Sequence, residues 1–600
     1  MTTAGQTPGQ TAELEALLAL ARREHRAGRL AETAEACHRI LALRPDLAEV
    51  HNDLGIILAR QGDLGQAGAR FEQAITVSPG YTQAHINLGN VLLGQGRLDE
   101  AIARYEHALA QRPDDAQAHY NLAGALKQQG KLERARAHYQ RAIALRPDHA
   151  EAHNNLGNVL VSQGLLDQAA AHFVQALTLR PNYAEAHLNL GNVLLGQRKL
   201  DEAAARYESA LALRPDLAEA AYNLGNVLLK QGRLDEATAR YQQALALRPQ
   251  YSDAHYNLGF ILREQGRLDE AAARYERALE LRPDLADAQL GLAGRYLAEG
   301  DYERGWALYE QRARIPGVVR LPNVPRWNGE PLAGRSLLLV AEQGMGDTLL
   351  ILRYARLLKE RGARVVLAAH AALGRLLAAH PDLDEVLALR PVEELPRCDF
   401  CLSLMSAPSA FGTTVDTIPR DVPYLWADPE LIENWRRELA AIEGMKIGIV
   451  WQGSLDYPSD RWRSAPLAQF EPLARVPGVR LISLQKGFGA EQLAGVDFPV
   501  LDLASRLDQG AGSFMDTAAV IRNLDLVATV DTAIAHVAGA LGAPVWVALP
   551  FSPYWIWLRE RDDSPWYPTA RLFRQTALGE WPSVFEQMAG ALRAITSKSA

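Results

Sequence analysis

The sequence predicts two architectures in one chain: an all-helical repeat array over the first half and a two-lobed α/β domain over the second. After about residue 335, short apolar runs alternate with helical stretches, the pattern of a parallel sheet covered on both faces. A fixed period in the first half is typical of helical hairpins that stack side by side. It is set by prolines 34 residues apart, at Pro45, Pro79, Pro113, Pro147, Pro181, Pro215, Pro249 and Pro283.

In seven of the nine expected hairpins, the second helix carries an alanine and an aromatic ring at fixed positions. Small residues let helices approach closely, and a ring can then fill the groove between neighbouring hairpins. Alanine recurs at Ala67, Ala101, Ala135, Ala169, Ala203, Ala237 and Ala271. An aromatic residue follows four positions later, at Phe71, Tyr105, Tyr139, Phe173, Tyr207, Tyr241 and Tyr275. This pattern resembles the tetratricopeptide repeat, with nine units over residues 14–319 after a disordered terminus at 1–13.

One first-helix position carries asparagine in six consecutive units: Asn87, Asn121, Asn155, Asn189, Asn223 and Asn257. Stacked hairpins align equivalent positions, so these amides are expected to form a ladder along the inner face of a superhelix. An amide carries a donor and an acceptor and matches one peptide unit, so the ladder is expected to hold an extended protein or peptide. It resembles the asparagine ladder of the O-linked N-acetylglucosamine transferases. The alternative is that these asparagines bond locally within the repeats.

Charge and composition favour a cytoplasmic protein. The net charge of −8 and isoelectric point near 6.1 make nucleic acid and anionic membranes unfavoured partners. Three cysteines are too few for a disulfide framework, and neither a membrane-spanning run nor a signal-peptide pattern is expected. Six histidines share the repeat period, too far apart for a common metal: His51, His85, His119, His153, His187 and His255.

The second half is predicted to contain two Rossmann-like lobes with a cleft between them. We expect a linker or covering strap at 320–335, a first, acceptor-side lobe at 336–444 and a nucleotide-sugar-binding lobe at 445–600. Strands are predicted at 336–341, 364–369, 398–404, 446–453, 480–487, 525–530 and 544–549.

A glycine turn follows the first predicted strand and opens a helix. Gly344 and Gly346 let the backbone approach a ligand closely, and the helix N-terminus favours negative charge. Asp347 comes next, either as a functional carboxylate or as a plain helix cap.

A second turn, Asp531-Thr532-Ala533, lies between a strand and a helix in the second lobe. Its small residues leave backbone N–H groups free for a diphosphate, and the Thr532 hydroxyl can add a donor. His536 follows one turn later and either faces the cleft or packs in the core. Aromatic residues crowd 550–568, where packing is favoured and Tyr554 or Trp555 are the candidate ligand contacts.

Three motifs together resemble the lipopolysaccharide heptosyltransferases: GMGD at 344–347, RSAPL at 463–467 after a Trp-x-Gly strand, and the segment 530–549. The resemblance implies a glycosyltransferase-B fold. The expected fold class is therefore an N-terminal all-α tetratricopeptide superhelix followed by an α/β two-lobed Rossmann-like domain of that type. This architecture is similar to bacterial O-linked N-acetylglucosamine transferase-like proteins.

The resemblance also implies roles for individual residues. Asp347 would be the general base, and Asp531, Thr532, Ala533 and His536 would bind the donor, chiefly its diphosphate. Where the family has a lysine, this chain has Arg461, Arg463 and Ser464, and arginine can still neutralise a leaving diphosphate. Gln485 and Lys486, at a strand end, are candidate nucleotide and phosphate contacts.

The implied reaction is metal-independent, inverting transfer of a hexosyl- or heptosyl-type sugar to an acceptor, expected to be a protein. A nucleotide sugar would be the co-substrate, with no resident cofactor. The formal metal motif at Asp382 and Asp384 is interpreted as a turn. The alternative is a non-catalytic interaction scaffold with a degenerate nucleotide-binding domain.

Overall fold

The computed structural model describes residues 8–315, 318, 321–454, 460–509 and 513–599, which form two compact units that divide between Arg248 and Pro249. In the first unit the described helices are α1 (Pro8–Arg26), α2 (Leu30–Leu43), α3 (Ala48–Arg60), α4 (Leu64–Val77), α5 (Thr82–Gly94), α6 (Leu98–Gln111), α7 (Ala116–Gln128), α8 (Leu132–Leu145), α9 (Ala150–Ser162), α10 (Leu166–Leu179), α11 (Ala184–Gly196), α12 (Leu200–Leu213), α13 (Ala218–Gln231) and α14 (Leu234–Leu247). Residues 1–7 of the terminus expected to be disordered lie outside the described residues, and α1 already begins at Pro8.

Five hairpins of the first unit are closed by a ring that lies on a glycine, while Ala123 takes the place of this glycine opposite Tyr139 and Cys37 takes the place of the ring in the first hairpin. A Cβ atom built on Gly157 would be 2.6 Å from the Phe173 ring, and one on Gly191 would be 2.6 Å from the Tyr207 ring. Only glycine therefore lets the two helices of these hairpins come so close. The alanine and ring positions that repeat in the sequence are buried in all seven of their units.

The periodic histidines hold the loops between repeats. The Nε2 atom of His85 donates a hydrogen bond to the carbonyl oxygen of Pro79 at 2.9 Å, and His187 does the same to Pro181 at 2.9 Å. A carbonyl oxygen only accepts, so the ring nitrogen must carry the proton. The histidine and proline periods thus describe one contact, which the sequence alone did not reveal.

The second unit combines two helical hairpins with the α/β part of the chain. Its hairpin helices are α15 (Ser252–Glu264), α16 (Leu268–Leu281), α17 (Ala286–Ala298) and α18 (Tyr302–Tyr309). Its other described helices are α19 (Met345–Ile351), α20 (Tyr354–Glu360), α21 (Gly374–Leu377), α22 (Ala407–Ala410), α23 (Pro429–Leu439), α24 (Asp460–Arg463), α25 (Glu471–Ala474), α26 (Met515–Ile521), α27 (Ala533–Ala540) and α28 (Pro582–Ser599).

Two parallel sheets organise the α/β part. The described strands are β1 (Ser336–Val340), β2 (Arg364–Ala369), β3 (Glu385–Ala388), β4 (Phe400–Ser403), β5 (Met445–Val450), β6 (Val479–Ser483), β7 (Val500–Asp502), β8 (Leu526–Val530), β9 (Val545–Leu549) and β10 (Ala570–Arg574). Their orders are β3-β2-β1-β4 and β10-β9-β8-β5-β6-β7, and every pairing is parallel. The predicted parallel strands are confirmed, and β3, β7 and β10 were missed.

The last hairpin is built into the core of the α/β part. Trp306 of α18 packs edge-on against Trp555, with ring centroids 5.2 Å apart, and its indole N–H donates to the Thr413 carbonyl at 3.1 Å. The buried Arg312 donates to the Glu342 carboxylate directly after β1 at 2.6 Å. The chain then follows β4 as a strap, in which the Trp327 N–H donates to the Cys401 carbonyl at 2.9 Å. Residues 319 and 320, where the repeat-to-linker boundary is predicted, lie outside the described residues.

Candidate active site

The two predicted turns lie against each other at the starts of α19 and α27. A Cβ atom built on Gly346 would be 2.8 Å from the His536 Cδ2 atom and 3.5 Å from the Ala533 Cα atom. Any side chain at position 346 would therefore force the two helices apart. The structure thus brings Gly346, Ala533 and His536 together from helices that follow strands of the two different sheets.

Asp347 is a half-buried carboxylate at the start of α19. Gly344 is the N-cap of α19, and Asp347, the third residue of the helix, accepts the Gly344 backbone N–H through its Oδ2 atom at 3.0 Å. Burial raises the pKa of Asp347 to about 6, and the Asp531 carboxylate adds to that rise. The Gly344 N–H, a Tyr554 hydrogen bond and the Arg463 charge act in the opposite direction. A carboxyl group with such a pKa can accept a proton near neutral pH.

Asp531 and Arg463 provide opposite charges on the second-lobe side of the site. Both line one cavity of about 520 Å³. Burial raises the pKa of Asp531, while Arg463 opposes that rise. The Nε atom of Arg463 donates to the Asp460 Oδ1 atom at 3.0 Å, which fixes the guanidinium near the end of α24. The arrangement places a positive charge beside the turn predicted to hold a diphosphate.

The hydroxyl of Thr532 already has a partner. Its oxygen lies 3.0 Å from the Thr529 hydroxyl, which donates its own proton to the Val530 carbonyl. Thr532 must therefore donate to Thr529, so its oxygen remains as an acceptor. Hydrogen bonds from this turn to a diphosphate would therefore be donated by backbone N–H groups. The N–H of Ala533 is a candidate, because this residue is only half-buried.

Ser464 and Arg461 lie beside a loop whose residues 455–459 are outside the described residues. The Ser464 hydroxyl accepts the Gly453 N–H at 3.0 Å and donates to the Asp460 Oδ2 atom at 3.2 Å. The Arg461 guanidinium lies over the Trp462 ring, 5.7 Å from its centroid. Ser464 thus shapes the loop, and donor binding by either residue stays a prediction.

Gln485 and Lys486 are engaged within the second lobe. The Gln485 Oε1 atom accepts the Gln452 N–H at 3.1 Å, and its Nε2 atom donates to the Phe488 carbonyl at 2.9 Å. The Lys486 ammonium donates to the Leu507 carbonyl at 2.7 Å. Among the described residues that line the cavity, neither appears. Contacts of Gln485 and Lys486 with a nucleotide stay predictions, and they require these internal hydrogen bonds to break.

His536 is buried and neutral. Burial lowers its pKa to about 3, with Arg353 and Arg463 as further causes. Its Nδ1 atom lies 2.9 Å from the Tyr567 hydroxyl, and its ring stacks on Trp557 at 5.9 Å. The imidazole is therefore a hydrogen-bonding group at physiological pH and carries no charge there. His536 is buried in the core and also lies next to Gly346 at the start of α19.

Several site residues were missed by sequence reasoning. Tyr309, at the end of α18, donates to the Gln343 Oε1 atom at 3.1 Å and lies 3.3 Å from the Tyr554 hydroxyl beside Asp347. Arg353 is buried and donates to the Leu350, Pro419 and Trp566 carbonyls and the Tyr424 hydroxyl. Their partners are distant in sequence, so no local pattern signals them. Within the aromatic segment, Trp555 packs in the core and Tyr554 reaches the site.

The asparagine ladder of the first unit bonds from repeat to repeat. The Nδ2 atom of Asn87 donates to Asn52 at 2.8 Å, that of Asn189 to Asn154 at 2.9 Å and that of Asn223 to Asn192 at 2.9 Å. Asn121 and Asn155 donate likewise to Asn90 and to Tyr120. These donors are therefore used in bonds between neighbouring repeats, whereas the alternative interpretation expected local bonds within a repeat. All six positions, Asn257 included, are half-buried.

The described residues contain neither a cluster of metal ligands nor a helix that could span a membrane. Across the described ranges, no group of three or more His, Cys, Asp or Glu side chains could hold a metal ion. Asp384, from the formal metal motif, instead accepts the Val365 N–H at 2.8 Å and pairs with Lys359. No helix in the described part of the chain is long and apolar enough to cross a bilayer.

Comparison with known families matches the repeat region. Tetratricopeptide repeat models cover residues 86–150, 125–184, 46–114, 182–250, 216–284 and 262–312. The repeats of this chain are tetratricopeptide repeats. Such arrays present extended binding surfaces, and this region of the chain is a protein-interaction scaffold.

Individual proteins are similar to part of this chain. Protein FlbA of Caulobacter vibrioides is 28% identical over 336 residues, 48% of this chain and 52% of FlbA. The chain thus spans about half the length of that curated relative. The solved structure of YrrB is described as a tetratricopeptide protein with an unusual peptide-binding site. Its sequence is 28% identical over a match that includes 31% of this chain and 95% of the YrrB chain, with a TM-score of 0.28. PilF of Pseudomonas aeruginosa is 25% identical over 35% of this chain and 95% of its own, with a TM-score of 0.33.

Proposed function

We propose that this protein is a glycosyltransferase that moves a sugar from a nucleotide-sugar donor to the hydroxyl of a protein acceptor. The transfer inverts the anomeric centre and needs no metal. The α/β part performs the chemistry, and the tetratricopeptide region binds the acceptor protein.

One observation carries the proposal: the carboxyl group of Asp347, with a pKa of about 6, lies beside Asp531 and Arg463 where helices from two parallel sheets begin. A general base works best when its pKa is near the working pH. Open parallel sheets bind ligands at the carboxyl ends of their strands, which is where these residues follow β1 and β8.

The proposed step balances without another reactant. Asp347 takes the proton of the acceptor hydroxyl while the acceptor oxygen forms a bond to the anomeric carbon. The bond from that carbon to the diphosphate oxygen breaks, and its electron pair leaves with the nucleoside diphosphate. Arg463 and the N–H groups at the start of α27 stabilise the negative charge that develops on the leaving group.

His536 supports the same step as a neutral contact. A neutral imidazole next to Gly346 can hydrogen-bond a phosphate without forming a salt bridge that would hold the product. Its position at the junction of α19 and α27 also keeps the base and the leaving-group side at a fixed separation.

A second candidate function is a non-catalytic scaffold whose α/β part only senses a nucleotide. It is favoured by one observation, the engagement of Gln485 and Lys486 with backbone carbonyls where donor contacts were expected. The two functions differ in turnover, since a sensor would bind a nucleotide sugar without cleaving it.

The test is a panel of nucleotide sugars and nucleoside diphosphates. Thermal shift would identify the bound nucleotide for wild type and Arg463→Ala, and mass spectrometry would follow release of the nucleoside diphosphate. We expect one class of nucleotide sugar to stabilise wild type, to do so less for Arg463→Ala, and to be cleaved. Binding without cleavage would favour the sensor, and no binding to any nucleotide would contradict both functions.

A further inference from the structure

The cavity of about 520 Å³ that contains Asp531 and Arg463 extends well beyond the proposed reaction centre. Its far wall is formed by helices α15, α16 and α17 of the last two hairpins, and its near wall by residues 550–560. Aromatic rings from both walls line it, from Tyr256, Phe260, Tyr275, Trp462, Phe551 and Trp555. A cavity with apolar walls and a few polar groups is the usual form of a specific binding site.

The hydroxyl of Tyr275 in this cavity is buried without a hydrogen-bond partner among the described residues. The same position in other repeats behaves differently. Tyr105, Tyr207 and Tyr241 each donate to an asparagine 15 residues earlier, at distances of 2.7, 2.9 and 2.8 Å. The residue 15 positions before Tyr275 is Phe260, which has no acceptor atom. The repeat that lines the cavity has therefore lost the usual partner.

The ladder position has changed as well. Tyr139, which has Gly124 where the usual asparagine would be, has the ladder residue Asn155 as a polar neighbour that lowers the pKa of its hydroxyl. The ladder residue at the equivalent distance from Tyr275 is Gly291, which also lines the cavity. A Cβ atom on Gly291 would lie 2.6 Å from the Tyr275 ring, so an asparagine could not fit there. Both replacements leave the Tyr275 hydroxyl as a donor without an acceptor.

Trp555 adds a second donor to the same cavity. Its side chain is 3% exposed, and its indole N–H has no hydrogen-bond partner within the part of the chain that the structure describes. Buried donors are normally paired because an unpaired one costs free energy. Two of them around one cavity indicate a ligand that brings acceptor oxygens.

Two arginines that line this end of the cavity are already paired with carboxylates. Arg263 pairs with Glu264 at 2.5 Å, and Arg295 pairs with Asp269 at 2.8 Å and with Glu299 at 3.1 Å. A phosphate gains little beside these two, and Arg574, which also lines the cavity, donates to the Arg561 and Trp557 carbonyls. A polypeptide segment has apolar side chains for the aromatic walls and carbonyl oxygens for the two donors.

We propose that this cavity binds a segment of the acceptor polypeptide, with the Tyr275 hydroxyl and the Trp555 indole N–H donating to its main-chain carbonyl oxygens. The proposal rests on the proposed function, because it places that segment in the cavity that Asp531 and Arg463 also line. The protein then recognises the residues around the modified one by their shape and by hydrogen bonds to their main chain.

The experiment first selects peptides that bind the protein and then removes single tyrosine hydroxyl groups from the protein. A displayed library of random 12-residue peptides containing one serine or threonine is selected on the full-length protein, and dissociation constants follow from fluorescence anisotropy. Tyr275→Phe should weaken the selected peptides about 5- to 10-fold, the value of one hydrogen bond. Tyr241→Phe is the matched control, since it removes the same group where Asn226 accepts it, and should leave binding unchanged.

Melting temperatures separate binding from folding. Tyr241→Phe should lower the melting temperature because it breaks a buried hydrogen bond, whereas Tyr275→Phe should keep or raise it. Equal peptide affinities for Tyr275→Phe and wild type, or the failure of the library to yield a binder, would overturn the proposal. So would a loss of nucleotide-sugar binding in Tyr275→Phe with nucleoside diphosphate binding intact, since the sugar would then occupy the cavity. Peptide binding that depends on Tyr275 without any sugar transfer would support the cavity assignment and contradict only the proposed function.

Discussion

Gly346 lies so close to the imidazole of His536 that a Cβ atom at position 346 would be 2.8 Å from the His536 Cδ2 atom. This contact joins the helix that carries Asp347 to the helix that follows Asp531. The separation of the proposed base from the leaving-group side therefore depends on the absence of one methyl group.

Gly346→Ala should destabilise the protein and impair turnover together. Overpacking of this kind costs about 1–3 kcal/mol, and the displaced α19 should lower kcat for nucleotide-sugar cleavage. Thermal melting and steady-state kinetics would measure both effects. Gly374→Ala is the control, because its Cβ would meet nothing within 4 Å. Equal stability of Gly346→Ala and wild type would show that the junction yields easily.

The pH dependence of turnover should report the pKa of Asp347. Because the carboxylate form accepts the proton, kcat/KM should rise with pH through about 6 and then level. Asp347→Asn should lower kcat by at least about 100-fold while leaving nucleoside diphosphate affinity nearly intact. Asp421→Asn, at a carboxylate that is 83% exposed, is the control. A pH profile that is flat between 5 and 8 would remove Asp347 as the base.

The free energy of unfolding should also depend on the ionisation of Asp347, but it should fall as the pH rises. The folded-state pKa of Asp347 is raised, so its contribution to stability is fully present below the unfolded pKa of about 4 and is lost as pH rises through about 6. Asp347→Asn should therefore raise the free energy of unfolding by about 1–3 kcal/mol at pH 8. At pH 4 the gain should disappear. Urea unfolding at the two pH values would measure it, and an equal effect at both would contradict the shift.

Arg198 occupies a turn position that glycine holds in most repeats, with a φ of 62°. A left-handed conformation costs a residue with a side chain about 1–2 kcal/mol. Glycine avoids this cost, but it loses more conformational entropy on folding, so the net gain is smaller. Arg198→Gly should therefore stabilise the array by about 0.5–1 kcal/mol. Gly164→Ala, at a φ of 76°, should do the reverse. The urea midpoint of the repeat transition distinguishes these outcomes, and no change in either variant would show that the turns relax freely.

The ladder asparagines should contribute to stability. Asn189→Ala removes a bond of 2.9 Å to the preceding repeat and should cost about 1 kcal/mol without affecting nucleotide-sugar cleavage. Asn158→Ala is a matched control, because the ring 15 residues later is Phe173, which has no hydroxyl to donate. If Asn189→Ala weakens acceptor binding and leaves unfolding unchanged, the ladder serves ligands and not the array.

The sequence predicted the well-buried strands, the edge strand β4 among them, and missed two edge strands that are more exposed. Strands such as β8 and β9 are buried along their whole length, which requires continuous apolar residues. In contrast, β3 is half-buried throughout and β7 is mostly exposed, and both lie at sheet edges. Their sequences therefore carry little of the apolar signal on which the prediction depends.

The candidate site divides in a similar way. Asp347 and the Asp531 turn were predictable because each follows a strand within a short, recognisable segment. Tyr309, Arg353 and Tyr567 were not, because their partners come from more than 30 residues away. Local patterns contain no trace of such contacts until the chain is folded.

The joining of the last hairpin to the α/β core has a consequence for how such chains can change. Trp306, Tyr309 and Arg312 belong physically to the α/β part, since they pack on Trp555 and contact Gln343 and Glu342. Duplication or loss of whole repeats upstream of α17 leaves these contacts untouched. A change in repeat number therefore leaves this core intact, whereas removal of the chain before residue 320 would take away part of the core of the α/β part.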